Sequence, residues 1–164
     1  MIERSLAEYD AFYREAERIL REAERRYTHF VVFDLHSYNH LRGGPGQPAA
    51  DPALNPEVNI GTGTMARERW APVVERFMAD LRAFDFAGRR LDVRENVKFK
   101  GGQFSRWVHE TFPRSGCAIA IEFKKFFMNE WTGDVDRDTF DSIKKALRAT
   151  VPGVLEELKK FGSE

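Results

Sequence analysis

The sequence predicts an α/β fold, a three-layer αβα sandwich with a mostly parallel central sheet. Short apolar runs rich in β-branched and aromatic residues alternate along the chain with amphipathic segments of helical period. The runs at 29–35 and 116–123 are apolar on both faces, as strands in the middle of a parallel sheet are, because helices cover both of their faces. We expect a single domain over residues 1–164, since 42% of the residues are hydrophobic and no internal repeat is visible.

The first half of the chain contains two predicted helices and two predicted strands. Residues 5–26 repeat apolar side chains every three or four positions, which indicates an amphipathic helix, and residues 29–35 follow as a central strand. Residues 43–56 contain three glycines and four prolines and are predicted to form a surface loop. The segment 57–63 reads as a short strand, and the following apolar residues keep helical spacing until Gly88 ends the pattern.

The second half repeats this alternation. Residues 89–97 alternate loosely, which indicates a strand or edge strand, and residues 100–112 begin with two glycines and predict a short helix. Residues 116–123 form the second predicted central strand. Asp136 or Asp138 is expected to cap the last helix, in which Pro152 is expected to produce a kink.

The composition excludes several classes of partner. Twenty-six basic and 26 acidic residues cancel, so the net charge gives no reason to expect nucleic acid or an anionic membrane as partner. No apolar run approaches the roughly 20 residues needed to cross a bilayer, and the amino terminus does not resemble a secretion signal. Cys117, the only cysteine, lies in an apolar run, and a buried reduced thiol suits a cytoplasmic protein.

Ionisable residues stand where the two predicted central strands end. His36 closes the first strand and Glu122 the second, and ligands of parallel α/β sheets bind at the carboxyl ends of the strands. We therefore expect both side chains to share one cleft. The apolar neighbours of Glu122 favour its neutral form, as a general acid or base near neutrality requires, and a histidine with a glutamate suits metal-assisted hydrolysis.

Each of these residues also has a simpler interpretation. His36 reads equally as a hydrogen-bonded structural or surface residue, and Glu122 as the first solvated residue after a strand. Asp34 shares a strand face with His36 and either holds the imidazole, belongs to the same site, or caps the following turn. Arg42 offers a planar fork to a substrate carboxylate or is an exposed loop residue.

The remaining histidines and glycines are weaker candidates. His40, His29 and His109 are expected at the surface, and His40 is a reserve candidate because it shares the loop that follows His36. Gly101 and Gly102 form either a loop of backbone donors or the start of an ordinary helix.

Three motifs together resemble the N-formylglutamate amidohydrolase family, zinc hydrolases related in fold to the zinc carboxypeptidases. They are DLHSYNHLRGGP at 34–45, ENVKFKGGQ at 95–103 and AIAIEFKKFFMNEWTG at 118–133. The resemblance covers roughly residues 27–133. It implies a zinc ion held by His36, and it implies that Glu122 activates water and transfers the proton.

The resemblance also implies a substrate. Asn96, Gly101 and Gly102 would line the substrate side, and the substrate class would be a small N-formyl or N-acyl amino acid, with Arg42 as a carboxylate clamp. The alternatives are a catalytically silent α/β binding or assembly module, and a zinc peptidase or peptidoglycan-type amidase.

One part of the family pattern has no match. The pattern places a further histidine and an acidic ligand upstream of this strand, typically around a Pro-His-x-Gly turn, and neither Pro-His-x-Gly nor His-x-x-Glu occurs in the sequence. Catalytic zinc normally takes three protein ligands. We therefore expect an amino-terminally truncated or divergent short form, with Asp34 and His40 as reserve ligands, which dimerises or pairs through an exposed sheet edge.

Overall fold

Helices and strands alternate along most of the chain, as the periodicity predicts. A computed structural model describes residues 2–161, with side chains described from residue 4 onward. Its elements are α1 (Ile2–Tyr27), β1 (Phe30–Tyr38), β2 (Val58–Gly61), α2 (Ala71–Ala83), β3 (Val93–Glu95), α3 (Gln103–Thr111), β4 (Gly116–Lys124) and α4 (Arg137–Lys160).

The four strands form one sheet in the order β1-β4-β2-β3. β1 pairs with β4 in parallel, and β2 pairs with β3 in parallel, whereas β2 and β4 run antiparallel. The predicted α/β class with a mostly parallel sheet is therefore confirmed.

The predicted central position of residues 29–35 is wrong for the part of the chain that the structure describes, because β1 lies at an edge of that sheet. The residues are apolar on both faces since helices lie above and below the strand. Coverage of the two faces says nothing about whether both edges of a strand are paired.

Two helices cover each face of the sheet. On one face, α2 and α4 contribute to the larger core, which also contains Cys117, Ile119 and Ile121 of β4. On the other face, α1 and α3 pack over a smaller cluster that includes Phe30, Ala118 and Val108. These three layers place the alternating residues of β1 and β4 on opposite sides of the sheet.

Several element ends differ from the predicted ones. Helix α2 ends at Ala83 because Phe84 is already extended, with ψ of 132°, and Gly88 instead belongs to the next turn, with φ of +83°. Asp136 is the residue that caps α4, since its side chain accepts hydrogen bonds from the amides of Asp138 and Thr139. The helix then continues through Pro152 as one element.

The long segment between β1 and β2 contains neither helix nor strand, as predicted for residues 43–56. Its far end is fixed at two points: the Tyr38 hydroxyl donates to the Pro56 carbonyl, and Lys98 Nζ donates to Asn55 Oδ1 at 2.6 Å. Across residues 2–161, none of the helices combines the length and the apolar character needed to span a bilayer.

Candidate active site

The pairing of β1 with β4 brings His36 next to Glu122. The two residues are register partners on neighbouring parallel strands, so both side chains leave the same face of the sheet. On the other side of Glu122, Asn59 of β2 is its antiparallel partner. The structure thus aligns His36, Glu122 and Asn59 across three adjacent strands, about 4.8 Å apart from strand to strand.

Asp34 forms a hydrogen bond with the His36 imidazole. It lies two residues before His36 on the same face, and its Oδ1 is 2.7 Å from His36 Nε2. The Ser105 hydroxyl of α3 donates to Asp34 Oδ2 at 2.7 Å, and Asp34 is buried, whereas His36 is about half exposed. An ionised carboxylate only accepts hydrogen bonds, so Nε2 is the ring nitrogen that donates to such an Asp34.

We call Asp34, His36 and Glu122 the rim cluster. Within it, burial raises the pKa of the Glu122 carboxyl above its ordinary value. The neighbouring His36 ring opposes this rise in pKa, and the Asp34 carboxylate adds to it. Glu122 therefore binds a proton more readily than an exposed glutamate does, as a general acid and base must near neutral pH.

Asn59 is a site residue that the sequence reasoning missed. It is fully buried, its Nδ2 donates to the Phe99 carbonyl at 2.8 Å, and its Oδ1 accepts from the Lys98 amide at 2.8 Å. These bonds fix the loop after β3 beside Glu122. The signal was present, since an asparagine inside the apolar run VNIG is a buried polar group that needs partners.

The predicted substrate-side residues belong to this loop. Asn96 has φ of +55°, and its side chain is engaged with Thr62: Oδ1 accepts from the Thr62 amide at 2.9 Å, and Nδ2 donates to Oγ1 at 2.8 Å. Gly101 has φ of +105°, and Gly102 directly precedes α3. Asn96 thus shapes the loop, and its amide group is committed within the chain.

The loop also approaches the sheet very closely at Gly61. A Cβ atom on Gly61 would lie 2.5 Å from the Gly101 backbone nitrogen, a distance that real Cβ atoms do not show. Nothing lies within 4 Å of a Cβ atom placed on Gly102. The absence of a side chain at Gly61 therefore lets the two backbones pack together.

A second loop follows β1 and is fastened by Glu130. Glu130 Oε1 accepts hydrogen bonds from the His40 amide at 2.6 Å and from its Nδ1 at 2.7 Å, and Oε2 accepts from the Leu41 amide at 3.1 Å. Burial would raise the pKa of Glu130, but these donors outweigh it and lower the pKa. Arg42 is exposed and lines a cleft of about 400 Å³ together with Asn39, Leu41, Glu130 and Trp131.

The three histidines expected at the surface, His29, His40 and His109, are partly buried. His29 packs against Trp70 and Phe161, with ring centroids 6.2 Å and 5.6 Å away. His109 Nε2 accepts from the Ala118 amide at 2.9 Å, and its Nδ1 lies 3.1 Å from Thr64 Oγ1. The burial of these two rings comes from contacts distant in sequence, with Trp70 and Phe161 for His29 and with β4 and Thr64 for His109.

The described residues do not fit a catalytic zinc ion, which normally takes three protein ligands. Over residues 2–161, no group of three or more His, Cys, Asp or Glu side chains is placed to hold a metal. The reserve ligands have other partners, since Asp34 bonds to His36 and Ser105, and His40 bonds to Glu130. Zinc binding stays a prediction drawn from the sequence motifs.

A family comparison agrees with the motifs. The family model described as N-formylglutamate amidohydrolase matches residues 2–128, which is most of the chain. The chain belongs to the N-formylglutamate amidohydrolase family.

A solved structure is similar in fold to this family member. The crystal structure of N-formylglutamate amidohydrolase from Ralstonia eutropha JMP134 superposes with a TM-score of 0.65 at 17% sequence identity. The superposition covers 93% of this chain and 51% of that chain, so the chain spans about half the length of that structure. No curated protein sequence matches the chain at a significant level.

We expect Glu122→Gln to stabilise the folded protein at neutral pH. Burial raises the folded-state pKa of Glu122, so ionising this carboxyl destabilises the folded chain once the pH is above the unfolded-state pKa of about 4.3. A neutral amide does not ionise and avoids this loss of stability. Urea unfolding at pH 7 and at pH 4 measures the effect, which should be present at pH 7 and much smaller at pH 4. A destabilised variant at pH 7 would contradict this account of the carboxyl.

We expect Gly61→Ala to lower the free energy of unfolding by about 1–3 kcal/mol, the usual cost of overpacking. The added methyl group would strike the Gly101 backbone, so the loop would have to move away from the sheet. The matched control is Gly102→Ala, since that position has ample space and φ of −101°. Chemical denaturation of both variants is the measurement, and equal effects would mean that the close approach is not what stabilises the loop.

Proposed function

We propose that this chain takes part in hydrolysing the amide bond of an N-formyl or N-acyl amino acid, with Glu122 as the general base and acid. The observation that carries the proposal is the alignment of Glu122 with His36 across two parallel strands, at the end of the sheet where both strands finish. Membership of the N-formylglutamate amidohydrolase family supports the reaction class.

The chemistry follows from the rim cluster. Glu122, as the carboxylate, takes a proton from a water molecule whose oxygen attacks the amide carbonyl carbon. The same carboxyl then gives this proton to the amide nitrogen as the C–N bond breaks, which releases the amine and the carboxylic acid. His36 is held by Asp34 through Nε2, which leaves Nδ1 to accept a hydrogen bond from the attacking water.

Substrate selection would come from two loops, the one that follows β1 and the one that follows β3. The loop after β3 is fixed by Asn59 and Asn96, so it forms a rigid wall rather than a mobile cover. Arg42, in the cleft next to Trp131, is the group that we propose binds the free carboxylate of the substrate.

Glu122→Gln should lower kcat by about 10²–10⁴-fold, the range that a general acid and base contributes. The amide keeps the size of the side chain and cannot accept the proton from water. Release of formate from N-formyl amino acids measures the loss, with short N-blocked peptides as the comparison substrates that would indicate a peptidase instead.

The control for this variant is Glu110→Gln, which removes an exposed carboxylate of α3 and should leave the rate unchanged. Equal activity of wild type and Glu122→Gln would refute the assigned role. A second readout is the pH dependence of kcat/KM. On the acid side, kcat/KM should fall at a higher pH than the pKa of an ordinary glutamate, because the carboxylate is the active form and its pKa is raised.

A catalytically silent binding or assembly module is the second candidate. It is favoured because residues 2–161 bring together no group of three possible metal ligands. Since the described residues bring together fewer than the three ligands that catalytic zinc takes, we expect the protein to lose zinc on extensive dialysis. Elemental analysis by mass spectrometry after dialysis checks this. A stoichiometric amount of retained zinc would contradict it and would favour a complete metalloenzyme site.

A further inference from the structure

The edge strand β1 has an open side. Over residues 2–161, β1 is hydrogen-bonded to β4 along one side and has no second neighbour in the sheet. It is nine residues long and contains neither proline nor lysine, the residues with which natural sheets often protect an edge. Such a strand is a template for pairing with another chain.

The backbone groups that face this open side can be identified. The Phe30 amide donates to the Ser115 carbonyl, and the Tyr38 carbonyl accepts from the Lys125 amide, so the even-numbered residues of β1 turn their backbone groups toward β4. Successive residues of a strand alternate, so Val31, Phe33, Leu35 and Ser37 turn theirs outward. Residues 35–37 are also the exposed part of the strand.

Apolar surface borders the open side. An apolar groove of about 520 Å³ lies at the start of β1, and its lining includes Tyr27, Phe30, Val31, Leu155 and Leu158. Leu35 is 57% exposed and Leu155 50% exposed. An unpaired strand with apolar surface next to it marks an interaction site rather than a solvated edge.

We propose that a second copy of this chain pairs antiparallel with β1 along this edge, centred on Leu35. In that register, Leu35 faces Leu35 of the second copy and Phe33 faces Ser37, so the outward backbone groups of both strands meet as hydrogen-bonded pairs. The two sheets become one sheet of eight described strands across a twofold axis.

The pairing of unlike side chains favours a second copy in this register. Asp34 then lies opposite His36 of the second copy, and His36 lies opposite the second Asp34, in the closely spaced non-hydrogen-bonded positions. Centring the pairing on Asp34 instead would oppose two buried carboxylates, which is destabilising. With 26 basic and 26 acidic residues, two copies carry no net charge that would repel them.

This pairing brings an acid and an imidazole from each copy to one place. Each rim cluster gains an Asp34 and a His36 from the other chain as neighbours, on the same face of the joined sheet. This pairing concerns assembly alone and does not depend on the hydrolysis proposed above.

The first test is the molar mass in solution, measured by sedimentation velocity over a concentration series. We expect wild type to reach twice the chain mass of 19.0 kDa and Leu35→Lys to stay at the chain mass, because two cations would face each other at the twofold axis. Leu54→Lys is the matched control, since Leu54 is 63% exposed in the loop between β1 and β2, and it should dimerise like wild type. A wild type that is monomeric throughout, or a Leu35→Lys dimer, overturns the proposal.

The second test determines the register in which the two β1 strands pair. Under mild oxidation, Leu35→Cys should form a disulfide with itself across the dimer, since opposed Cα atoms of a hydrogen-bonded pair are about 5.5 Å apart, within disulfide range. Ser37→Cys is also exposed, but it would be displaced by about 13 Å along the strands, four residues, from its own copy and should not cross-link. Cys117 does not compete, because burial raises the pKa of its thiol to about 12. Cross-linking of Ser37→Cys in preference to Leu35→Cys overturns the register.

Discussion

The parallel pairing of β1 with β4 is the interaction on which the candidate site depends. Nine consecutive residue pairs, from Phe30 with Gly116 to Tyr38 with Lys124, fix the register. A slip of one residue would place His36 beside Ile121 or Phe123, whose side chains point to the opposite face. The register is secured by burial, because the alternate residues of β4 contribute to the two cores on opposite faces of the sheet.

Two carboxylates at this end of the sheet show how local bonding decides the charge of a buried group. Burial on its own favours a raised pKa for both Glu122 and Glu130. Glu130 receives three hydrogen bonds from His40 and Leu41, which lower its pKa overall and keep it a structural anion. Glu122 has weaker compensation, so its pKa stays raised.

The sequence was informative wherever a pattern is local. The apolar runs before His36 and Glu122 predicted two strands, and alternation along β1 placed Asp34 on the face of His36, which the structure confirms. The edge position of β1 was not predictable in this way, since strand order depends on which distant segments pair. The partners of Asn59 and Glu130 lie about 40 and 90 residues away, so their roles needed coordinates even though a buried polar residue and a motif glutamate were visible.

His109 supplies a hydrogen-bond partner to β4 beyond the point where β2 ends. Pairing of β2 with β4 stops at Ala120, and the Ala118 amide donates instead to the imidazole of α3. Burial lowers the pKa of this ring, so below about pH 6.5 the unfolded chain binds a proton that the folded ring resists, and stability declines with acid. Helix α3 also carries Ser105, one turn before His109, and the Ser105 hydroxyl donates to Asp34, so the same helix joins this acid-sensitive ring to the support of the candidate site residue His36.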